Sequence, residues 1–321
     1  MNDALTQLRT SAALRALVVF VAVMVVGAVS LSGFTSRTSL NSMLVLASFL
    51  GIAAVGQSLT ALVGSIDLSI PYVIGMANVG LAHLLGKGTS LVVAVGAVVL
   101  AAALVGFVNG WLTDTFELPP LILTLATGLA VSGGVQVWTR GNVNGGAPDW
   151  LVDVTGISNT TFGVPIPPLV VVWLVLSLGV VFVLRYTSAG RRVYALGNNR
   201  TAADRAHINV SRTWICLYVV SAVFAALAGM LLLGFTTGGF VDVGKPYLFS
   251  TVAAVVLGGT SLLGGKGGYG LTVIGALGLT ALTTILLGFG LSTAAQQAVL
   301  GAVILGMVCL YGRTTAVYNR I

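Results

Sequence analysis

The sequence predicts an all-α polytopic membrane protein with about ten transmembrane helices, some of them short or broken, and with both termini in the cytoplasm. Of its 321 residues, 57% are hydrophobic and 7% are charged, whereas about 25% of an average soluble domain is charged. The mean hydropathy is +1.04. Ten apolar runs approach the length of about 20 residues that spans a bilayer. This composition excludes a soluble globular domain and a disordered chain, because neither is so apolar.

The ten runs follow one another along the whole chain. They cover residues 17–31, 42–63, 72–85, 91–112, 119–137, 169–184, 213–235, 247–263, 271–287 and 294–310. The first run could be a signal peptide, because Arg9 and Arg15 precede it. We prefer a retained first span, since everything after it is also membrane-like. Several runs are short and rich in glycine, as in transport proteins that break helices inside the bilayer.

The distribution of Lys and Arg predicts the orientation. With the N-terminus inside, 11 of these 15 residues lie on cytoplasmic segments and 4 lie outside, which agrees with the positive-inside rule. The predicted organisation is a cytoplasmic N-terminus at 1–13, a transmembrane domain at 14–312 and a cytoplasmic tail at 313–321. An external loop is expected at about 139–168 and a cytoplasmic loop at about 186–212. The net charge of +7 is therefore explained by basic residues on cytoplasmic segments rather than by nucleic-acid binding.

One acidic residue stands between two apolar runs. Asp67 follows Gly64 and precedes Pro71, and a charge in that place is costly unless it is paired, capped or hydrated. It could form part of a pathway or gate. It could also cap the third helix, because Asp67 or Ser69 can accept backbone N–H bonds there and proline is tolerated in a first turn. Capping is the expected role, and the two roles are compatible.

Uncharged amides lie within otherwise apolar runs. Facing a central path, they would suit a hydroxylated solute, although hydrogen bonds between helices are the alternative for each of them. The candidate path or gate residues are Gln57, Asp67, Ser69, Asn78, Asn109 and Gln136.

The cytoplasmic loop is the most strongly charged part of the chain. Asn198 or Asn199 can cap a short basic helix that continues to about Ala206. A helix this short is not stable alone, so it requires a partner surface, either lipid headgroups or a docked soluble protein. Its candidate contact residues are Arg191, Arg192, Asn199, Arg200, Asp204, Arg205 and His207.

The sequence predicts no catalytic, cofactor or metal site. The glycine-rich stretch 263–269 is not a phosphate-binding loop, because Thr260 and Gly267 stand where that motif needs glycine and Ser or Thr. A tight cytoplasmic turn is the better interpretation. His83 and His207 have no matching acid or nucleophile nearby in sequence, so acid–base catalysis has few groups available.

Four motifs, in this order, resemble the permease subunit of ribose-type ATP-binding-cassette sugar importers. They are GSIDLS at 64–69, close to the family signature GGIDLS; Asn109-Gly110 followed by LPPLILTL at 118–125; the loop 190–210; and AAVVLGGTSL at 253–262 with GGKG at 264–267. The resemblance extends from about residue 40 to 310. The chain departs from the family at Ser65, where the signature has glycine, and at Pro71, where glycine often follows it.

This resemblance implies a mechanism and a set of partners. A binding protein would deliver a sugar, two permease subunits would form the path, and a separate ATPase would use the ATP and hold the loop 190–210 as its coupling helix. The chain would then be a multi-pass protein of the bacterial cytoplasmic membrane, in contact with lipid, and would have no ATPase activity of its own. The loop at 139–168 would be periplasmic.

Three other interpretations are open. A related permease for branched-chain amino acids or nucleosides would share the same architecture. A secondary transporter would use Asp67 for ion coupling and would leave the basic loop unexplained. A membrane enzyme would need catalytic groups that the sequence does not display.

Overall fold

The computed structural model describes residues 12–312, which form helices joined by turns and loops, with two isolated β-bridges and no strand in that range. The helices are α1 (Ala12–Ser30), α2 (Arg37–Leu62), α3 (Ile70–Gly86), α4 (Leu91–Thr115), α5 (Pro120–Thr139), α6 (Asp149–Thr155), α7 (Pro168–Tyr186), α8 (Ser188–Asn198), α9 (Arg200–Arg205), α10 (Val210–Thr236), α11 (Tyr247–Leu257), α12 (Tyr269–Gly288) and α13 (Thr293–Gly312), with a 3₁₀ turn at Val241–Gly244.

Seven of the helices in this range are long and apolar enough to cross a membrane. They are α1, α2, α4, α5, α7, α10 and α12, while α3 is apolar but has only 17 residues. The all-α membrane class is therefore confirmed. Arg9, Arg313 and Arg320, three of the cationic residues expected inside, lie outside the described residues.

Helices α2 and α10 form the centre of the bundle. Their apolar windows are 89% and 61% buried, whereas α1, α4, α5 and α7 present most of their surface outward. Small residues allow the helices to approach closely: Gly106 of α4 lies against the backbone at Tyr218, and Gly229 of α10 lies against the carbonyl of Ile74. This packing places the polar residues of α2 and α10 in the interior.

The predicted length of the eighth membrane span is wrong. We expected a span over 247–263, but α11 ends at Leu257 after 11 residues. The helix stops because Gly258 begins a glycine-rich turn, in which Gly259, Gly264 and Gly265 adopt positive φ angles. Before α11, the segment 237–246 is mostly non-helical and lies along α3, where Gly244 contacts the carbonyl of Pro71.

The segment expected as an external loop is partly helical. Within 139–168 the structure places α6, whose residues Leu151 and Thr155 are buried. Both contact Gly234, near the end of α10. The loop therefore closes over one end of the bundle.

Candidate translocation path and docking surface

Asp67 is almost fully buried, at 1% exposure, and is hydrogen-bonded through both carboxylate oxygens. Its Oδ1 accepts bonds from the backbone N–H of Ser69 at 2.9 Å and from the Ser69 hydroxyl at 2.5 Å. Its Oδ2 accepts a bond from the hydroxyl of Ser221 on α10 at 2.7 Å. Three donors thus compensate the loss of hydration.

The local chain conformation puts Asp67 there. After α2 ends, Gly64 adopts φ +77°, a left-handed conformation that favours glycine, and the chain turns back toward α3. Pro71 lies in the first turn of α3, as expected. Ser69 is the N-cap residue by position, but its side chain bonds to Asp67 and makes no capping bond of its own. The residues 63–69, here called the α2–α3 break, therefore form a polar turn within the apolar core.

A chain of hydrogen bonds continues from the break to α4 and α5. Asn109 donates to the Ser69 hydroxyl at 2.9 Å and accepts from Thr127 at 2.6 Å. The backbone N–H of Leu68 donates to the hydroxyl of Thr124 on α5 at 2.9 Å. Asp67, Ser69 and Asn109 are thus brought together, and each has its polar groups paired.

The other three candidate path residues lie elsewhere. Asn78 accepts a bond from the backbone N–H of Phe240 at 2.8 Å and donates to the carbonyl of Gly229 at 3.3 Å, so it joins α3 to α10 and to the segment 237–246. Gln57 is fully buried on α2, and neither amide atom has a hydrogen-bond partner among the described residues. Gln136 is exposed on α5 and bonds only to Ser132 of its own helix.

The predicted docking loop forms two short helices. Asn199 caps α9 by accepting a bond from the backbone N–H of Ala202 at 2.9 Å, which confirms the expected cap. Arg200 is ion-paired with Asp114 at the end of α4, and its guanidinium lies 5.3 Å from the ring of Trp214 on α10. These contacts hold α9 against two helices of the bundle.

The remaining loop candidates separate into two groups. Arg192 on α8 is exposed, as are Asp204, Arg205 and His207 on α9 and just after it. Arg191 is also exposed, but it lines a groove beside α7 and α12. Arg191 therefore differs from the other exposed candidates, because it forms part of this groove.

Comparison with known proteins identifies the family. The model for the permease component of branched-chain amino acid transport systems matches residues 39–308. The chain belongs to this permease family. The ribose import permease RbsC of Escherichia coli (strain K12) is 36% identical over 262 residues, which cover 79% of each chain. The RbsC of Bacillus subtilis (strain 168) is 32% identical over 268 residues, or 83% of this chain and 82% of the relative.

A third relative extends the comparison. The autoinducer 2 import system permease LsrC of Enterobacter sp. (strain 638) is 31% identical over 272 residues, or 84% of this chain and 77% of the relative. The resemblance to ribose-type importer permeases is therefore confirmed. No solved structure matches the chain significantly.

In this permease, the predicted docking loop touches the last residue of α2, immediately before the α2–α3 break. Gly197 of α8 lies so close to the carbonyl of Leu62 that a Cβ there would overlap it. The same carbonyl accepts the N–H of Gly265 at 2.8 Å, and the Tyr194 hydroxyl donates to the carbonyl of Gly267 at 2.9 Å. Burial raises the pKa of Tyr194, which keeps this donor protonated. The second half of α8 thus contacts both the end of α2 and the glycine-rich turn that follows α11.

Sequence reasoning missed several residues of the permease's buried network. Ser221 bonds to Asp67, Tyr218 bonds to Ser65 at 2.6 Å, and Thr127 bonds to Asn109. Ser221 and Tyr218 lie one turn apart on the same face of α10, a pattern that could have marked a polar stripe. The sequence gives no sign that this stripe meets residues about 150 positions earlier.

Proposed function

We propose that this permease is the membrane-spanning subunit of an ATP-binding-cassette importer that takes up a sugar, such as a pentose, a hexose or a related polyol. A binding protein delivers the sugar, and a separate ATPase docks on α8 and α9. The observation that carries the proposal is the 36% identity to a ribose import permease over 79% of the chain. The importer lies in the bacterial cytoplasmic membrane and contains a second permease subunit, either a copy or a homologue.

We further propose ten membrane passes with both termini in the cytoplasm. The seven long helices are joined by α3, by α13 and by the segment 237–246 together with α11. This arrangement is supported by the contacts at helix ends. The ends of α2 and α4 meet the loop α8–α9, whereas the end of α3 meets residue Asn144 of the predicted periplasmic loop.

Energy from the ATPase reaches the path through two contacts. Exposed Arg192, Asp204, Arg205 and His207 provide the docking surface on the ATPase side. Movement of α9 is passed to α4 and α10 through Arg200, while movement of α8 is passed through Gly197 to the end of α2, just before the break. Arg200 joins α9 to α4 and α10, which carry part of the polar network. Gly197 joins α8 to the end of α2, which leads into the break that carries Asp67.

The polar network stabilises the break rather than binding sugar. Asp67, Ser69 and Asn109 already have protein partners, so a sugar hydroxyl would have to displace an existing bond. The amide of Gln136 donates only to Ser132 of its own helix and lies on the exposed face of α5, and this face lines the path between two permease subunits. Asn78 has a structural role, because it connects two segments of the chain.

Uptake by a reconstituted importer tests the proposal. The permease is placed in vesicles with its ATPase and binding protein, and radiolabelled ribose is added outside. We expect uptake that requires both ATP inside and the binding protein outside. Uptake driven by a proton or sodium gradient without the ATPase would instead support a secondary transporter.

A second candidate substrate is a branched-chain amino acid. The description of the matching family model favours it, whereas the relatives named above are ribose and autoinducer 2 permeases. Radiolabelled leucine, added in place of ribose, distinguishes the two candidates in the same vesicles. We expect no ATP-dependent uptake of leucine, and such uptake without uptake of ribose would favour the amino-acid importer.

A further inference from the structure

A groove of about 510 Å³ opens beside the docking loop, where the ends of α7 and α8 meet the start of α12. Arg185 and Arg191 line it from two different helices, together with Tyr194. Both arginines are exposed, and neither forms an ion pair with another described residue. The groove therefore carries two positive charges that the described part of the chain does not neutralise.

The third wall of the groove adds to its positive potential. Residues Gly268, Tyr269 and Gly270, which begin α12, form this wall. No acidic residue lies in the first turn of α12, so the positive end of this helix dipole is not compensated there. An anionic group is the ligand that this combination of charges favours.

An apolar stripe leads from the groove along the outside of α7. Leu174, Leu178, Val181 and Arg185 follow one another at spacings of four, three and four residues, so they share one face of the helix. Leu174 and Leu178 are 56% and 62% exposed, and Val181 lines the groove. A ligand that fits has an anionic head at the arginines and an apolar tail on this stripe.

We propose that this groove binds an anionic phospholipid, with its phosphate between Arg185 and Arg191 and one acyl chain along the stripe of α7. The site lies on the side of the membrane that faces the docking loop, which is the cytoplasmic leaflet in the orientation proposed above. Arg191 then contacts the bilayer, and the docking surface consists of the exposed residues Arg192, Asp204, Arg205 and His207.

Lipid binding by the purified full chain tests this site, without ATPase, binding protein or sugar. Phosphatidylglycerol and phosphatidylcholine are titrated separately in neutral detergent, and bound lipid is counted by native mass spectrometry. We expect one retained phosphatidylglycerol in the unmodified chain. The double variant R185Q/R191Q is expected to bind it about thirtyfold more weakly, because two basic contacts are lost.

Matched controls make the result specific. R212Q removes an exposed arginine of the same segment that does not line the groove, and its affinity should be unchanged. Equal affinity for the two lipids in the unmodified chain would overturn the proposal without any variant. Soluble glycerol phosphate is expected to compete poorly, and binding as tight as that of the lipid would rule out the role of the stripe. None of these outcomes depends on sugar import.

Discussion

The hydroxyl of Ser221 on α10 donates a 2.7 Å hydrogen bond to the carboxylate of Asp67 in the α2–α3 break. This bond connects two segments that are 154 residues apart in sequence, and it lies where the most buried helices of the bundle meet. Asp67 therefore fixes the position of the break relative to α10.

Replacing Asp67 with alanine is expected to destabilise the fold strongly. The change removes the acceptor of three hydrogen bonds and leaves buried Ser69 and Ser221 without it, so the free energy of unfolding should fall by about 2–4 kcal/mol. Thermal unfolding in detergent measures the effect. Asp153→Ala is the matched control, because Asp153 is exposed. Equal melting temperatures for the two variants would contradict the structural role.

Replacing Asn78 with alanine should lower stability without changing substrate recognition. Its amide bridges Phe240 and Gly229, and losing these bonds is expected to cost about 1–2 kcal/mol. Thermal unfolding and the KM of uptake are measured together. The exposed Asn142→Ala variant serves as the control. A raised KM with an unchanged melting temperature would place Asn78 in the path instead.

Replacing Gly197 with alanine should uncouple ATP hydrolysis from transport. The new Cβ would overlap the carbonyl of Leu62, so α8 must move away from the break at a cost of about 1–3 kcal/mol. The ratio of sugar imported to ATP hydrolysed is the relevant measurement. Gly179→Ala in α7 is the control, because nothing lies within 4 Å of its Cβ position. If the two variants transport equally well, α8 does not act through this contact.

Replacing Arg200, Asp204 and Arg205 together with alanine should abolish coupled transport but leave membrane insertion intact. The change removes the ion pair with Asp114 and two exposed charged residues near it. Co-purification of the ATPase and sugar uptake are the readouts, and the exposed Arg37→Ala variant is the control. Unchanged uptake in the triple variant would exclude this surface as the docking site.

The purified chain is expected to hydrolyse no ATP alone. Thr260 and Gly267 stand where a phosphate-binding loop requires other residues, and the stretch between them is a glycine-rich turn against α8. Release of inorganic phosphate is measured with and without the partner ATPase. Hydrolysis by the lone chain that is lost with Lys266→Ala would contradict the prediction.

The membrane class and most helix positions could be predicted from the sequence, because a bilayer requires long apolar runs and short polar connections. A cap at Asn198 or Asn199 was also predictable, since capping depends on residues three positions apart, and the structure shows it at Asn199. The end of α11 at Leu257 was not, because glycine is common within membrane helices and only the tertiary contacts reveal that Gly258 ends this one.

The members of the polar network were also predicted only in part. Asp67, Ser69 and Asn109 meet, but Gln136, which looks equivalent in sequence, lies exposed on α5. Periodicity cannot show which face of an apolar helix points inward when all its faces are apolar. For the same reason Ser221 was overlooked among the small residues of α10.

The backbone contact between Gly197 and Leu62 has a mechanical consequence. Side chains between two elements can change rotamer and absorb a small displacement, whereas two main chains in direct contact have no such compliance. A shift of α8 toward α2 must therefore displace the main chain at residue 62. Because residue 197 has no side chain, the contact between α8 and α2 is rigid, although glycine is more often associated with flexibility.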